Sequence, residues 1–245
     1  MAFTSLRHSD DFGTTISGAD YTFVMSVDIE VGDLIILHWD ANAASKTVVS
    51  IADDSVQAGA ANSYTVRATR SATAHSAGTA YCLKTTRKIV VNDEIVVTID
   101  AAHTRRAGCM AAFVPGNGNA ALGVTNGVTG DTSSPVTYGA TGTLSDAHSL
   151  LAQCGGWRGG AVDAGYGHNP SGWATVTPGK SGGTSARAES HIAYILDSGT
   201  NGTITCEDTY TSITNAHGEV LEFTDIAVAA ARPRIVIPRR VWAGR

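Results

Sequence analysis

Apolar residues recur at every second position along much of this chain, which is the pattern of half-buried β-strands. Tyr21, Phe23, Met25, Val27 and Ile29 form one such series. The run LIILHW at 34–39 is almost continuously apolar and predicts a central strand covered on both faces. Similar short strand patterns occur at 47–51, 64–70, 80–86, 94–100, 108–114, 137–142, 149–157, 172–179, 190–196, 202–208 and 218–224. Because no long stretch repeats at the helical spacing of about 3.6 residues, we expect an all-β fold.

Short strands separated by turn residues at regular intervals predict a jelly-roll-like antiparallel β-sandwich with extended N- and C-terminal arms. We expect residues 1–13 to form an N-terminal arm, residues 14–226 the sandwich and residues 227–245 a basic C-terminal arm. The order of strand patterns in 14–116 is echoed in 135–226. The chain is therefore either one sandwich with two similar halves or two stacked small β domains. We favour one domain because no clear linker separates the halves.

Composition narrows the functional classes. A formal net charge of −5 argues against nonspecific nucleic-acid binding by the body of the protein. The four cysteines, Cys82, Cys109, Cys154 and Cys206, form no CxxC pair and lie in apolar strand patterns, so we expect free thiols. A Cys82–Cys109 or Cys154–Cys206 disulfide is the alternative in an oxidising compartment. Without a recognisable signal peptide or long apolar run, we expect a protein made in the cytoplasm with no membrane partner.

The last fourteen residues differ in charge from everything before them. They carry five arginines and no acidic residue, whereas the preceding residues carry 12 Lys and Arg against 22 Asp and Glu. Their alternation of Arg with Ile, Val and Trp is too apolar for a free disordered tail. We therefore expect an arm that docks on a neighbouring subunit, with Arg232, Arg234, Arg239, Arg240 and Trp242 as its interface residues. A strand packed on its own body, or an unstructured end, is the alternative.

A glycine-rich segment at 155–183 supplies candidate ligand contacts. Its aromatic residues Trp157, Tyr166 and Trp173 could contact a glycan by stacking on sugar rings. A subunit interface and plain loop packing are the other interpretations. The TPGKSGG motif of this segment has Ala174 where a phosphate-binding loop requires its first glycine. We therefore do not interpret it as a nucleotide site.

Motifs for catalysis or metal binding are not recognisable in the sequence. The eight histidines form no HxH or HExxH motif, and no GxSxG motif is present. We interpret His38 as a core histidine. Adjacent acids on a strand point to opposite faces, which does not suit acid/base partners, although on a loop they could bind Ca²⁺. Three such pairs occur, at 10–11, 53–54 and 207–208. We expect no catalytic residue, no cofactor and no metal.

Several short motifs follow one another in the first half. Gly32-Asp33-Leu34 precedes Asp53-Asp54-Ser55, then Asn62-Ser63-Tyr64-Thr65, Ala80-Tyr81 and the strand pattern at 94–100. This order resembles tailed-bacteriophage virion structural proteins with a jelly-roll β-sandwich, over roughly 17–115 and more loosely 135–224. The first half departs from the family's usual Glu-Tyr/Phe-Ser-Gly ending, because residues 112–116 read AFVPG, and the hairpin between Asp54 and Tyr64 is longer than usual.

The resemblance implies a non-enzymatic virion protein, either a capsid decoration (cement) protein or a tail or fibre component. A charge-poor β body with a basic arm suits subunit interfaces. We expect a homo-oligomer, a trimer or pentamer, located in the virion and made in the host cytoplasm. Further partners would be the major capsid or tail proteins. The alternative function is a carbohydrate-binding module that reads host surface glycans.

Overall fold

The computed structural model is all-β, as the sequence predicts. It describes residues 2–53, 61–72, 75–132, 134–159, 167–169, 172–181, 187–209 and 215–227. The strands in these ranges are β1 (Phe3–Thr14), β2 (Gly18–Val24), β3 (Leu34–Ala41), β4 (Val48–Asp53), β5 (Thr65–Ala72), β6 (His75–Cys82), β7 (Glu94–His103), β8 (Arg106–Pro115), β9 (Ala120–Asp131), β10 (Val136–Thr143), β11 (Leu150–Gly159), β12 (Gly167–Asn169), β13 (Ala174–Thr175), β14 (Gly179–Lys180), β15 (Arg187–Ile195), β16 (Thr203–Thr209) and β17 (Asn215–Asp225). Among the described residues there is no helix that could span a bilayer.

The N-terminal half forms two antiparallel sheets packed face to face. The large N sheet has the order β1-β8-β3-β6-β5, and the small N sheet has the order β2-β7-β4. Alternate residues of each strand face the space between the sheets, so Phe23 and Val97 from the small sheet meet Leu37 from the large one. The predicted series from Tyr21 to Ile29 is confirmed as half-buried within β2, since Thr22 and Val24 lie on the outer face. The strand ends at Val24, however, and Val27 beyond it is 40% exposed.

The C-terminal half repeats this arrangement strand by strand. The large C sheet has the order β9-β17-β11-β15-β13, with β14 also paired to β15, and the small C sheet has the order β10-β16-β12. In each half of the chain, the first strand lies at one edge of the large sheet, beside the last strand of that half. The second-last strand of each half lies in the centre of the small sheet. The echo between 14–116 and 135–226 corresponds to two jelly-roll-like units of the same strand order.

The two units stack through their large sheets. Leu34, Ile36 and Phe113 of the large N sheet pack against Leu150 and Ile192 of the large C sheet in a second apolar core. β3 is thus covered on both faces, as its sequence predicts, because Ile35, Leu37 and Trp39 face the small N sheet instead. The described chain is a stack of four layers in the order small N, large N, large C and small C sheet.

An approximate two-fold axis relates the two units. β1 lies on β14 and β5 lies on β9, while β8 contacts β15 and β6 contacts β17. β3 and β11, which occupy equivalent places in their sheets, contact one another at the centre. The stacking surface therefore has the self-complementary form of a two-fold symmetric dimer interface, built within one chain.

The predicted N-terminal arm is part of a sheet. Residues 3–14 form β1, which pairs with β8 along its length at the edge of the large N sheet. They belong to the sheet rather than to a separate arm. The predicted C-terminal arm, 227–245, lies outside the described residues except for Ala227.

The Gly-Asp-Leu motif of the first half lies in a turn whose hydrogen bond recurs later in the chain. Asp33 accepts a hydrogen bond from Glu30 N through its carboxylate (2.9 Å), and Gly32 between them has a φ of 101°. Asp93 repeats the bond with Val90 N (3.1 Å). A positive φ favours glycine, so the motif fixes the turn that starts β3.

Candidate functional site

Ionisable side chains meet in the middle of the molecule, between the two large sheets. We name this group the interlayer cluster; it comprises His38, Asp40, Arg70, His75, Thr79, His217 and Glu219. His38 and Asp40 follow Leu34 and Ile36 on the face of β3 that is turned to the large C sheet. The cluster thus continues the apolar stacking surface toward one end of β3.

His75 and Asp40 form the best-defined pair of the cluster. The distance from His75 Nε2 to Asp40 Oδ2 is 2.6 Å, and both side chains are fully buried. Burial raises the pKa of Asp40 well above its usual value. Burial, followed by the charge of Arg158, lowers the pKa of His75 to about 3. The pair is therefore most stable uncharged, with the carboxylic acid donating to the imidazole.

His217, from the C-terminal half of the chain, contacts this pair. Its ring stacks on the His75 ring with centroids 4.3 Å apart. Its Nδ1 accepts a hydrogen bond from Gly130 N (3.0 Å), so that nitrogen carries no proton. Burial, followed by the charge of His75, lowers the pKa of His217 to about 3. The stack therefore joins two neutral rings at neutral pH.

Backbone and side chains of the two halves approach closely at Asp40. A Cβ atom added to Gly156 of β11 would collide with the Asp40 carboxylate. Only glycine leaves room for a carboxyl group from the opposite sheet at this point. Gly156 therefore allows the Asp40–His75 pair to sit inside the stack.

Two further pairs of side chains complete the cluster. His38 Nδ1 is hydrogen-bonded to Thr79 Oγ1 at 3.0 Å, and Arg70 Nη2 lies 3.7 Å from Glu219 Oε2. Burial, followed by the electrostatic effect of His191, lowers the pKa of His38 well below its usual value. The crevice beside these residues is too narrow for a water molecule. The interpretation of His38 as a core histidine is confirmed by its burial.

A second buried network lies inside the C-terminal unit, around Asp208. Its carboxylate accepts from Tyr138 and Gln153 side chains, and His191 Nε2 lies 2.9 Å from Oδ2. Glu207, its neighbour on β16, faces the other way and accepts a bond from Thr137 Oγ1 (3.2 Å). The prediction that adjacent acids point to opposite faces is confirmed for this pair.

The Asp53, Asn62 and Tyr64 motif of the first half is a structural clamp. Asn62 Oδ1 accepts from Thr86 N (2.8 Å) and from Arg87 N (3.1 Å). Tyr64 Oη donates to Asp53 (3.1 Å), and Arg87 lies 2.6 Å from the same carboxylate. The motif therefore ties the 84–89 loop to β4 rather than presenting groups to a ligand.

The candidate glycan contacts do not form a platform around Trp157. Trp157 is fully buried, in a core with Tyr138 and Cys206, and its ring centroid lies 5.6 Å from that of His191. Trp157 is therefore not placed to stack on a sugar ring, because β11 is the central strand of its sheet and is covered on both faces. Trp173 is partly buried against the same core, and Tyr166 lies outside the described residues.

The interface candidates Arg232, Arg234, Arg239, Arg240 and Trp242 also lie outside the described residues. Within the described ranges, no group of three or more His, Cys, Asp or Glu side chains is arranged to hold a metal ion.

All four cysteines are free and buried, as the sequence predicts, and neither alternative disulfide is present. Burial raises the pKa of the Cys82 thiol to about 11 and that of Cys206 to about 12. Such thiols are protonated and unreactive at neutral pH.

The sequence did not predict the interlayer cluster, whose histidines are far apart in the chain. One signal was present: His38 and Asp40 occupy alternate positions at the end of an apolar run, and so share a face of β3. Polar residues on one face of a central strand indicate a polar patch in the layer that covers it.

Comparison with protein-family models, with curated proteins and with solved structures finds no match to this chain.

Proposed function

We propose that this protein is a non-enzymatic structural subunit of a tailed-bacteriophage virion, either a capsid decoration protein or a tail or fibre component. In this role the double jelly-roll-like body is a rigid block, and the basic C-terminal segment joins it to a neighbouring copy. The motifs of the first half that resemble such proteins support the proposal. The virion is its location, and a homo-oligomer, a trimer or pentamer, is its working state.

One structural observation carries the proposal. The interlayer cluster and the Asp208 network contain the described side chains that are best suited to chemistry. These side chains are buried and contact one another. The crevice beside His38 does not admit water, so these groups are suited to holding layers together. A stack of four sheets buried in this way resists deformation because protein interiors are close-packed.

The distribution of charge supports assembly through the C-terminal segment. Residues before Arg232 have a formal charge of −10, and the last fourteen residues have +5. Because these two parts of the chain have opposite charges, the C-terminal segment of one copy is attracted to the body of another copy. The major capsid or tail proteins would be additional partners in the virion.

The mass of the protein in solution tests this function. In the full-length chain, Arg234→Glu, Arg239→Glu and Arg240→Glu together should convert a defined oligomer into monomers by light scattering. The same three-charge reversal at Lys46, Arg67 and Lys84 is the matched control and should leave the oligomer intact. Circular dichroism and thermal unfolding establish that each variant is folded.

Two results would contradict the proposal. A wild-type protein that is monomeric at all concentrations would exclude self-assembly. An oligomer that survives the arginine reversal, with both variants folded, would exclude the C-terminal segment as its connection.

A further inference from the structure

The described chain leaves the body at one end of the four-layer stack. Ile226 N donates a hydrogen bond to Asn119 O (2.9 Å), so the turn between β8 and β9 holds the end of β17. Gly118 of this turn lies against Gly32, because its carbonyl oxygen is 3.2 Å from the position that a Cβ atom would take there. Residues 228–245 therefore start beside the loop that precedes β3.

This end of the molecule has an excess of acidic residues. We name it the acidic end; its described loops are 25–33, 83–93, 116–119, 144–149 and 196–202. They contain six Asp and Glu against three Lys and Arg, which gives a formal charge of −3. The described loop residues of the opposite end have a formal charge of +2; they are 15–17, 42–47, 104–105, 132 and 134–135. The basic C-terminal segment thus leaves the body from the end of opposite charge.

Exposed apolar side chains are concentrated at the acidic end. Of the eight large apolar side chains exposed in the described chain, five lie in its loops or at the strand ends beside them: Val24, Val27, Val31, Val91 and Ile226. Val27 and Val91 are each two residues from the β-bridge that joins their loops, and they lie opposite one another. Val31 is 59% exposed and precedes the glycine that touches the β8–β9 turn. Such a concentration of exposed apolar residues is typical of a contact surface.

Two acidic side chains lie between these valines. Asp28 Oδ1 accepts a hydrogen bond from Val91 N (3.0 Å), and its Oδ2 lies 2.6 Å from Lys88 Nζ. Glu30 Oε1 lies 3.0 Å from the same ammonium group. The two acidic side chains remain 38% and 46% exposed, and one lysine balances only one of their two charges. The surface therefore offers a guanidinium group a carboxylate beside an apolar contact.

The C-terminal segment has the composition that this surface would bind. Residues 228–245 contain five arginines, no acidic residue and six large apolar residues: Val228, Ile235, Val236, Ile237, Val241 and Trp242. Arg232 is five positions beyond Ala227, and five extended residues span at most about 17 Å. A segment tethered this closely meets its own body at an effective concentration in the millimolar range. The acidic end of its own chain is therefore the first surface that the segment encounters.

We propose that, in a free subunit, residues 228–245 fold back on the acidic end of their own chain. Their apolar residues cover the exposed valines, and their arginines pair with Asp28 and Glu30. The contact inhibits assembly, because a segment bound to its own body is not available to a neighbouring copy. A segment bound in this way about nine-tenths of the time would raise the dissociation constant of the oligomer about tenfold. This inference rests on the proposed assembly function and names what regulates the C-terminal segment.

Cross-linking within one chain tests the geometry in the full-length protein. Val31→Cys with Trp242→Cys is mildly oxidised at a concentration at which light scattering shows monomers. A disulfide within the chain is expected, and mass spectrometry of the digested protein identifies the joined peptides. The native thiols do not compete, since all four are buried. Ile16→Cys with Trp242→Cys is the matched control and should give a several-fold lower yield, because Ile16 is 76% exposed at the opposite end.

Charge substitutions test the inhibition. Glu30→Lys with Val31→Lys replaces an acid and an exposed valine by cations, and so should release the segment. The dissociation constant of the oligomer, measured by light scattering over a dilution series, should then fall about tenfold. Asp20→Lys with Ile16→Lys makes the same change in net charge toward the opposite end and should leave that constant unchanged. Circular dichroism establishes that each variant is folded.

The outcomes separate this inference from the proposed function. A rise in the dissociation constant for Glu30→Lys with Val31→Lys would make the acidic end the surface that receives a neighbour's segment, and would overturn the inference. An unchanged constant would reject the inhibition, and a cross-link yield no higher than the control would reject the fold-back contact; both leave the assembly function standing. An oligomer unaffected by the three-arginine reversal would reject the proposed function itself, whatever the cross-link shows.

Discussion

The imidazole rings of His75 and His217 stack across the boundary between the two halves of the chain, with centroids 4.3 Å apart and planes inclined by 19°. His75 comes from β6 of the N-terminal unit and His217 from β17 of the C-terminal unit. Two buried imidazoles tolerate this distance only while at least one is neutral, because like charges repel strongly in a low-dielectric environment. The stack therefore makes cohesion of the two units dependent on pH.

We expect acid to destabilise the protein through these histidines. Their folded-state pKa values are about 3, below the ordinary value of 6.5, so the unfolded chain binds protons first as pH falls. The free energy of unfolding should therefore fall between about pH 6.5 and pH 3, by at most about 1.4 kcal/mol per pH unit for each histidine. The raised pKa of Asp40 has the opposite sign, favouring the folded state as the carboxyl group protonates.

Urea unfolding across this pH range checks the histidine contribution. His217→Asn retains an acceptor for Gly130 N but cannot titrate, so its free energy of unfolding should depend less steeply on pH than that of the wild type. An unchanged slope in His217→Asn would show that His217 does not couple stability to pH.

A methyl group at Gly156 should disrupt the stack. Gly156→Ala places a Cβ atom against the Asp40 carboxylate and should lower the free energy of unfolding by about 1–3 kcal/mol. Gly202→Ala, where a Cβ atom meets only Thr200 Oγ1 at 3.3 Å, is the control and should cost less. Adding Asp40→Ser should recover part of the loss at Gly156, since the shorter side chain leaves space. Additive effects of Gly156→Ala and Asp40→Ser would contradict the contact.

The strands and layers of this fold were largely predictable from the sequence. Period-two alternation identified the outward and inward faces of β2, and the apolar run 34–39 identified β3 as a strand covered twice. The choice between one sandwich and two stacked units was not predictable, because alternation shows that a face is buried without showing which sheet covers it. β5 illustrates this, since nothing in its sequence indicates pairing with β6 rather than a place beside β4.

The interlayer cluster was less predictable than the sheets. His38, His75 and His217 come from three strands, β3, β6 and β17, and only tertiary stacking brings them together. The burial of Trp157 was also not predictable from its local sequence. Its glycine-rich neighbourhood suggested an exposed loop, but Gly155 and Gly156 lie within β11 and accommodate side chains from the facing sheets.

Glu222 should stabilise the protein mainly above its ordinary pKa. Its carboxylate accepts hydrogen bonds from Val124 N (2.9 Å), Ser145 N (2.7 Å) and Ser149 Oγ (2.6 Å). Burial would raise its pKa, but the bonds from Ser149, Val124 and Ser145 outweigh burial and lower it below 4.5. Its contribution is therefore complete above about pH 4.5 and is lost as pH falls through the lower folded-state pKa.

Glu222→Gln measures that contribution. At pH 7 the substitution should lower the free energy of unfolding by about 1.5–3 kcal/mol, the usual range for hydrogen bonds to a charged group. The difference from wild type should narrow as the pH falls below about 4.5. Glu207→Gln on an outer face is the control and should have a much smaller effect. A difference for Glu222→Gln that is constant from pH 7 to pH 3 would show that the ionised carboxylate is not what the hydrogen bonds stabilise.

The thiols provide a direct measure of how tightly the layers are closed. Cys82, Cys109, Cys154 and Cys206 are buried, and burial raises the pKa of each thiol. A thiol reagent at pH 8 should therefore label none of them in the native protein and all four in urea, and a reducing agent should not change stability. Ser50→Cys, at an exposed position of the edge strand β4, serves as a positive control and should react at once. Rapid labelling of Cys109 or Cys154 in native wild-type protein would mean that the two large sheets separate readily, contrary to the close stacking of Leu34 and Ile36 on the large C sheet.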